Sequence, residues 1–144
     1  MGKLELSYYD ASDGPRLMIF GPLIGSYVDL QEVFRRLSRG ETDVELHLLP
    51  FILVHDDVQL VASCSGSLHD QLRGKPQGIR ARSLMGGHRF EWVRTVEGWD
   101  YLAALIDALV KNPFPGHQYL SAYPKEDVIV VLSKGEYDER LRDY

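Results

Sequence analysis

The sequence predicts an α+β domain: a mainly antiparallel sheet with two helices packed on one face. Three observations carry this expectation. Short runs alternate apolar and polar residues, the period-2 pattern of half-buried strands. Two longer stretches repeat apolar residues at spacings of three and four, the pattern of amphipathic helices. The strands arrive mostly in hairpin-like pairs, in the order β-β-α-β-β-β-β-β-α-β-β. The strict βα alternation of a doubly wound parallel sheet is absent.

Each element has its own local reason. Leu4 and Leu6 alternate with Lys3, Glu5 and Ser7, so residues 3–9 read as a strand. Residues 10–15 are dense in turn formers and lead into a second short strand, Arg16 to Phe20. Gly21 to Ser26 then enters a helix, with Ser26 as N-cap and Asp29 in the first turn. Leu30, Val33, Phe34 and Leu37 share one helical face, and Gly40 terminates it. Residues 42–49 return to period 2, with Val44, Leu46 and Leu48 inward. Residues 51–64 read as a hairpin turning at Asp56 and Asp57, with Val58, Leu60, Ala62 and Cys64 on one face. Residues 65–77 are poor in apolar side chains and form a long loop, with room for one helical turn at 67–72.

Gly78 to Leu84 and Arg89 to Thr95 make the clearest hairpin, because Gly86-Gly87 supplies the positive φ values of a tight turn. Thr95 caps the second helix, whose Trp99, Leu102, Ala103, Ile106, Leu109 and Val110 lie on one side. Asn112-Pro113 stops it. Strands at 117–122 and 127–133 close the chain. The run Val128-Ile129-Val130-Val131-Leu132 is apolar on both sides and suits an interior strand. No internal repeat, low-complexity tract or linker marks a second domain, and 144 residues suffice for one sizeable core.

Composition narrows the function classes. The net charge is −5, unevenly placed. Residues 1–72 carry 5 basic against 11 acidic side chains, a balance of −6. Residues 73–94 carry six basic side chains against Glu91 alone, a balance of +5. One short basic segment on an acidic chain is poorly suited to nucleic acid, where a strongly basic face dominates affinity. Cys64 is the one cysteine, so no internal disulfide forms, which fits a reducing compartment. No apolar run is long enough for a membrane span, and the first residues lack the pattern of a signal peptide. The expected location is the cytoplasm.

Motifs of known chemistry are missing. The five histidines form no His-x-His, His-x₃-His or His-Glu-x-x-His pattern. The Gly21–Ser26 loop lacks the residues of a phosphate loop. Ser63-Cys64-Ser65-Gly66 lacks the first glycine of a nucleophile elbow, and Cys64 falls on an apolar strand face. No catalytic residue, cofactor site or metal site is therefore assigned. The side chains that stand out are His117, Gln118 and Tyr119 at one end of the C-terminal hairpin and Lys134, Glu136 and Tyr137 at the other. The hairpin brings the two signatures close enough for His117 or Gln118 to hydrogen-bond Glu136 or the Tyr137 backbone.

Gly116-His117-Gln118-Tyr119-Leu120 and Ser133-Lys134-Gly135-Glu136-Tyr137, in the order helix, strand, acidic turn, strand, resemble small cytoplasmic immunity proteins encoded beside bacterial polymorphic toxins. The resemblance covers roughly the last third of the chain. It implies a protein that inactivates a cognate toxin by binding it, often over its active site, with no chemistry or cofactor of its own. An acidic chain suits a basic toxin, since opposite potentials speed association. The residues expected to meet the partner are His55, Asp56 and Asp57 at one tip, and His117, Glu136, Asp138 and Glu139 at the other. Two alternatives stand beside this. One is a small enzyme or small-molecule binder with His117 and Glu136 facing a cleft. The other is a regulatory subunit that forms a homodimer through an exposed edge strand.

Overall fold

The alternating N-terminal runs form an antiparallel hairpin, β1 (Leu4–Ala11) and β2 (Gly14–Gly21), with Glu5 opposite Phe20. The computed structural model that shows this describes residues 2–11, 14–41, 43–66, 78–84, 87–121 and 128–136. Helix α1 (Tyr27–Ser38) follows, then β3 (Val44–Glu45), a 3₁₀ turn (Leu46–Leu48), β4 (Ile52–Val54) and β5 (Val58–Cys64). The second half runs β6 (Gly78–Leu84), β7 (Gly87–Arg94), α2 (Val96–Lys111), β8 (Gly116–Tyr119) and β9 (Ile129–Lys134).

The class is α+β, but the strands divide into two sheets. One has five strands in the order β4-β1-β2-β9-β8, and the other has four, β3-β5-β7-β6. Four of the seven pairings are antiparallel, and β1·β4, β2·β9 and β5·β7 are parallel. The inner faces of both sheets and the apolar stripes of both helices share one core. Phe34 of α1 meets Trp92 edge-on at 5.6 Å and Trp99 of α2 at 5.1 Å, and the two tryptophans lie 4.9 Å apart. Such tilted contacts suit the ring quadrupoles and add to the burial of three large side chains. Gln31 joins the helices by donating from Nε2 to the Ala103 carbonyl at 3.1 Å.

The two sheets repeat one arrangement. A hairpin (β1-β2 or β6-β7) leads into a helix (α1 or α2) and then into two further strands (β3 and β5, or β8 and β9). In each half the last strand pairs antiparallel with the one equated to β3 or β8. It then pairs in parallel with the second hairpin strand of the other half: β5 with β7, and β9 with β2. Each half thus completes the other's sheet, and β4 alone has no counterpart.

Three local expectations change. Residues 42–49 do not run on as a strand. The chain leaves the sheet at Leu46, and His47 substitutes its ring for backbone, with Nδ1 accepting from the Leu60 N–H at 3.0 Å. Leu48 consequently points outward. Residues 51–64 are not a hairpin: β4 joins β1 and β5 joins β7, so His55–Asp57 is a corner between sheets. Period-2 alternation is the same for a hairpin arm and for a strand that departs, and β5 gains a seven-residue ladder on β7. Ser26 precedes α1 as expected but makes no side-chain cap; its hydroxyl donates to the Gly2 carbonyl at 3.2 Å. Thr95 does cap α2, accepting from the Gly98 N–H at 3.1 Å. The helical turn expected at 67–72 lies outside the described residues.

Candidate functional site

The C-terminal signature is a three-residue device. β9 is the interior strand expected from its apolar run, lying between β2 and β8. At its end Lys134 turns inward and is 3 % exposed. Its Nζ donates to the Leu109 carbonyl at 2.6 Å and to the Asn112 carbonyl, satisfying groups left open where α2 ends. Gly135 then reverses the chain with φ +69°, and a Cβ there would meet the Leu23 Cα at 3.1 Å. Both conditions demand glycine. The reversal brings Glu136 back over its own strand. Its Oε1 accepts from Ser133 Oγ at 2.5 Å and its Oε2 lies 3.0 Å from His117 Nδ1.

Partial burial pushes the Glu136 carboxyl up, but the Ser133 hydroxyl and His117 outweigh it, and the net position is below the usual carboxylate range. Beneath this end, Tyr27 donates its hydroxyl to the Pro22 carbonyl at 2.7 Å, and burial holds its phenol well above the usual value. The N–H and hydroxyl of Ser26 are both taken by the Gly2 carbonyl, so the Gly21–Ser26 loop is a packed turn.

The second tip lies on the same sheet. His55 continues β4, donating its N–H to the Leu6 carbonyl at 2.9 Å. Its Nε2 is 2.9 Å from Glu5 Oε1, and its ring stacks on Phe20 with centroids 6.4 Å apart. Glu5 is 5 % exposed, although it faces away from the helices. Asp56 and Asp57 follow at φ +58° and +53°, exposed and in the left-handed region that aspartate tolerates better than most residues.

Register links the two tips. Leu53 pairs with Glu5, Glu5 with Phe20, Phe20 with Ser133 and Ser133 with His117. Pairing partners share a face, so this row crosses all five strands on the side turned away from the helices, about 19 Å at the usual strand spacing. A His–Glu couple stands at each end, with Phe20 between them. Met18, Val131 and Tyr119 form the next row, and Arg16 lies over the Tyr119 ring at 5.9 Å.

No known family model, curated protein or solved structure matches this chain.

Of the residues expected to meet a partner, His55, Asp56, Asp57, His117 and Glu136 therefore lie on or beside one sheet face. Asp138 and Glu139 lie outside the described residues. Glu5 and Arg16 were not singled out by the sequence, and Ser133 and Tyr119 only as members of the two C-terminal signatures. They become visible only once β2 is known to pair with β9, a contact between distant segments that alternation does not encode. A cavity of about 270 Å³ on the outer side of the four-stranded sheet was missed for the same reason. Asp43, Glu45, Ser63, Arg89 and Glu91 line it above a floor of Val61 and Val93. A smaller one, about 130 Å³, sits between α2 and β8 beside Tyr101, Leu105, Gln118 and Tyr119. His117 and Glu136 line neither. Among the described residues no group of three or more His, Cys, Asp or Glu is placed to hold a metal ion. No described helix is long and apolar enough to cross a membrane.

Proposed function

We propose that this protein is a non-enzymatic binder that neutralises a cognate bacterial toxin in the cytoplasm by docking on it with the outer face of its five-stranded sheet. The observation that carries this is the row Leu53–Glu5–Phe20–Ser133–His117, whose buried members fix more exposed side chains at its two ends: Glu5 holds His55, and Ser133 holds Glu136 against His117. Side chains fixed in this way need little further ordering on binding. Tyr119, 46 % exposed beside His117, is of a residue type that dominates interface energetics. The exposed Asp56-Asp57 corner and the net charge of −5 favour a basic partner, and rim charges of this kind act chiefly on the association rate.

The test is coexpression with the product of the neighbouring gene, scored by protection of the host and by stoichiometric copurification. Asp56→Asn/Asp57→Asn removes the charges while keeping residues that accept the left-handed backbone. It should slow association, and the deficit should shrink at high salt. His117→Ala/Glu136→Gln should speed dissociation. If no protein copurifies and no protection is seen, the reading fails.

A further inference from the structure

We infer that β8 is the seam of a symmetric homodimer in which two copies of this edge strand pair antiparallel about Gln118. β8 is one of the two edges of the five-stranded sheet. The Leu120 N–H donates to the Val130 carbonyl at 2.8 Å, which sets the phase of the ladder. In an antiparallel ladder alternate residues bond inward, so Gly116, Gln118 and Leu120 face β9. The N–H and C=O groups of His117 and Tyr119 therefore point to the open edge, where no described residue meets them. Such an edge is a template for another strand.

The occupant is a second copy because the strand is complementary to itself. Two-fold pairing about Gln118 sets His117 opposite Tyr119 of the other copy, and Tyr119 opposite its His117. All four outward backbone groups of each copy then find partners. Within one copy the His117 and Tyr119 rings meet edge to face at 5.7 Å, so pairing assembles a cluster of four rings. Charge matches as well. His117 carries Glu136 and Tyr119 carries Arg16, so the anionic end of each strand meets the cationic end of the other. On the opposite face the two Gln118 amides meet at the axis, each a donor and an acceptor. Tyr101, Phe114 and Tyr119 (59 %, 69 % and 46 % exposed) supply apolar surface around this edge. The seam is made by the backbone edge of β8 and not by the side chains of the outer face, so it does not depend on the toxin-binding proposal.

Sedimentation of the full chain over a range of concentrations should show a reversible dimer. His117→Pro removes an N–H that the intrachain ladder does not use, and it should weaken the dimer about ten-fold or more, since two donors are lost per dimer. Gln118→Glu and Gln118→Lys should each weaken it, because like charges then face each other at the axis, and mixing the two variants should restore a heterodimer. Circular dichroism spectra of wild-type shape and a cooperative melt establish that the variants are folded, even where the melting temperature falls with loss of the dimer and of the His117–Glu136 contact. A wild-type chain that stays monomeric at high concentration overturns the proposal. So does a dimer that survives both His117→Pro and Gln118→Glu.

Discussion

Glu136 shows how one side chain can be held by two others. Its carboxyl sits below the usual range in the folded chain because Ser133 and His117 outweigh the opposing effect of burial. A depressed carboxyl contributes stability that is fully present above its unfolded pKa and is lost as pH falls through the folded value. Wild type should therefore be more stable than Glu136→Gln at pH 7, and the gap should close as pH is lowered towards 3. Paired thermal melts across that range check this, and a constant gap would show that the carboxylate charge is not involved. Asp107 is also lowered, first by Lys111 and then by Gln31, so melts of an Asp107→Asn background separate the two contributions. Lys134 is held by backbone instead: its buried Nζ donates to the Leu109 and Asn112 carbonyls and closes the end of α2, which explains a lysine in an otherwise apolar run.

At the scale of elements the two helices differ in how they start. Thr95 accepts from the Gly98 N–H, whereas Ser26 spends its hydroxyl on Gly2. Thr95→Ala should cost about 1–2 kcal/mol in urea unfolding, with Thr95→Ser recovering most of it. A loss under a few tenths would mean that the cap is replaced by another group. The helices, the first and third hairpins and the interior β9 were legible in the sequence because their signals are local: apolar spacing, the Thr95 cap and turn residues; Gly87, expected in the turn of the third hairpin, instead opens β7 and has no positive φ. What was not legible is long-range. The corner at His55–Asp57 has the residues of a tight turn and does turn, with the Val58 N–H reaching the His55 carbonyl at 3.4 Å. Nothing local says that the strands beyond it belong to different sheets. The candidate face suffers the same way. The His117–Glu136 contact was visible because one hairpin makes it, but its alignment with His55 and Glu5 depends on β1, β2, β4, β8 and β9 pairing together.

The molecule as a whole is two hairpin–helix–hairpin halves that have exchanged their final strands. β5 sits beside β7 and β9 beside β2, each completing a sheet begun by the other half. Neither half can bury its share of the common core alone. Residues 1–66 and 78–144, expressed separately, should therefore show no cooperative melt, and mixing them should restore one. Circular dichroism of the parts and of the mixture checks this, and an independently folding half would refute it.

That exchange also fixes the order in which the protein can be made. Arg16 pairs with Ile129, and 129 − 16 = 113 positions separate them. Contacts this distant slow folding, because the loop must close before the contact rewards it. On the ribosome β2 emerges early and must wait, with one edge unpaired, until β9 is synthesised. During that interval its unpaired N–H and C=O groups are open to other nascent chains. Slow translation between residues 21 and 129 would lengthen the exposure, so the yield of soluble protein should respond to elongation rate more than to the stability of the finished fold.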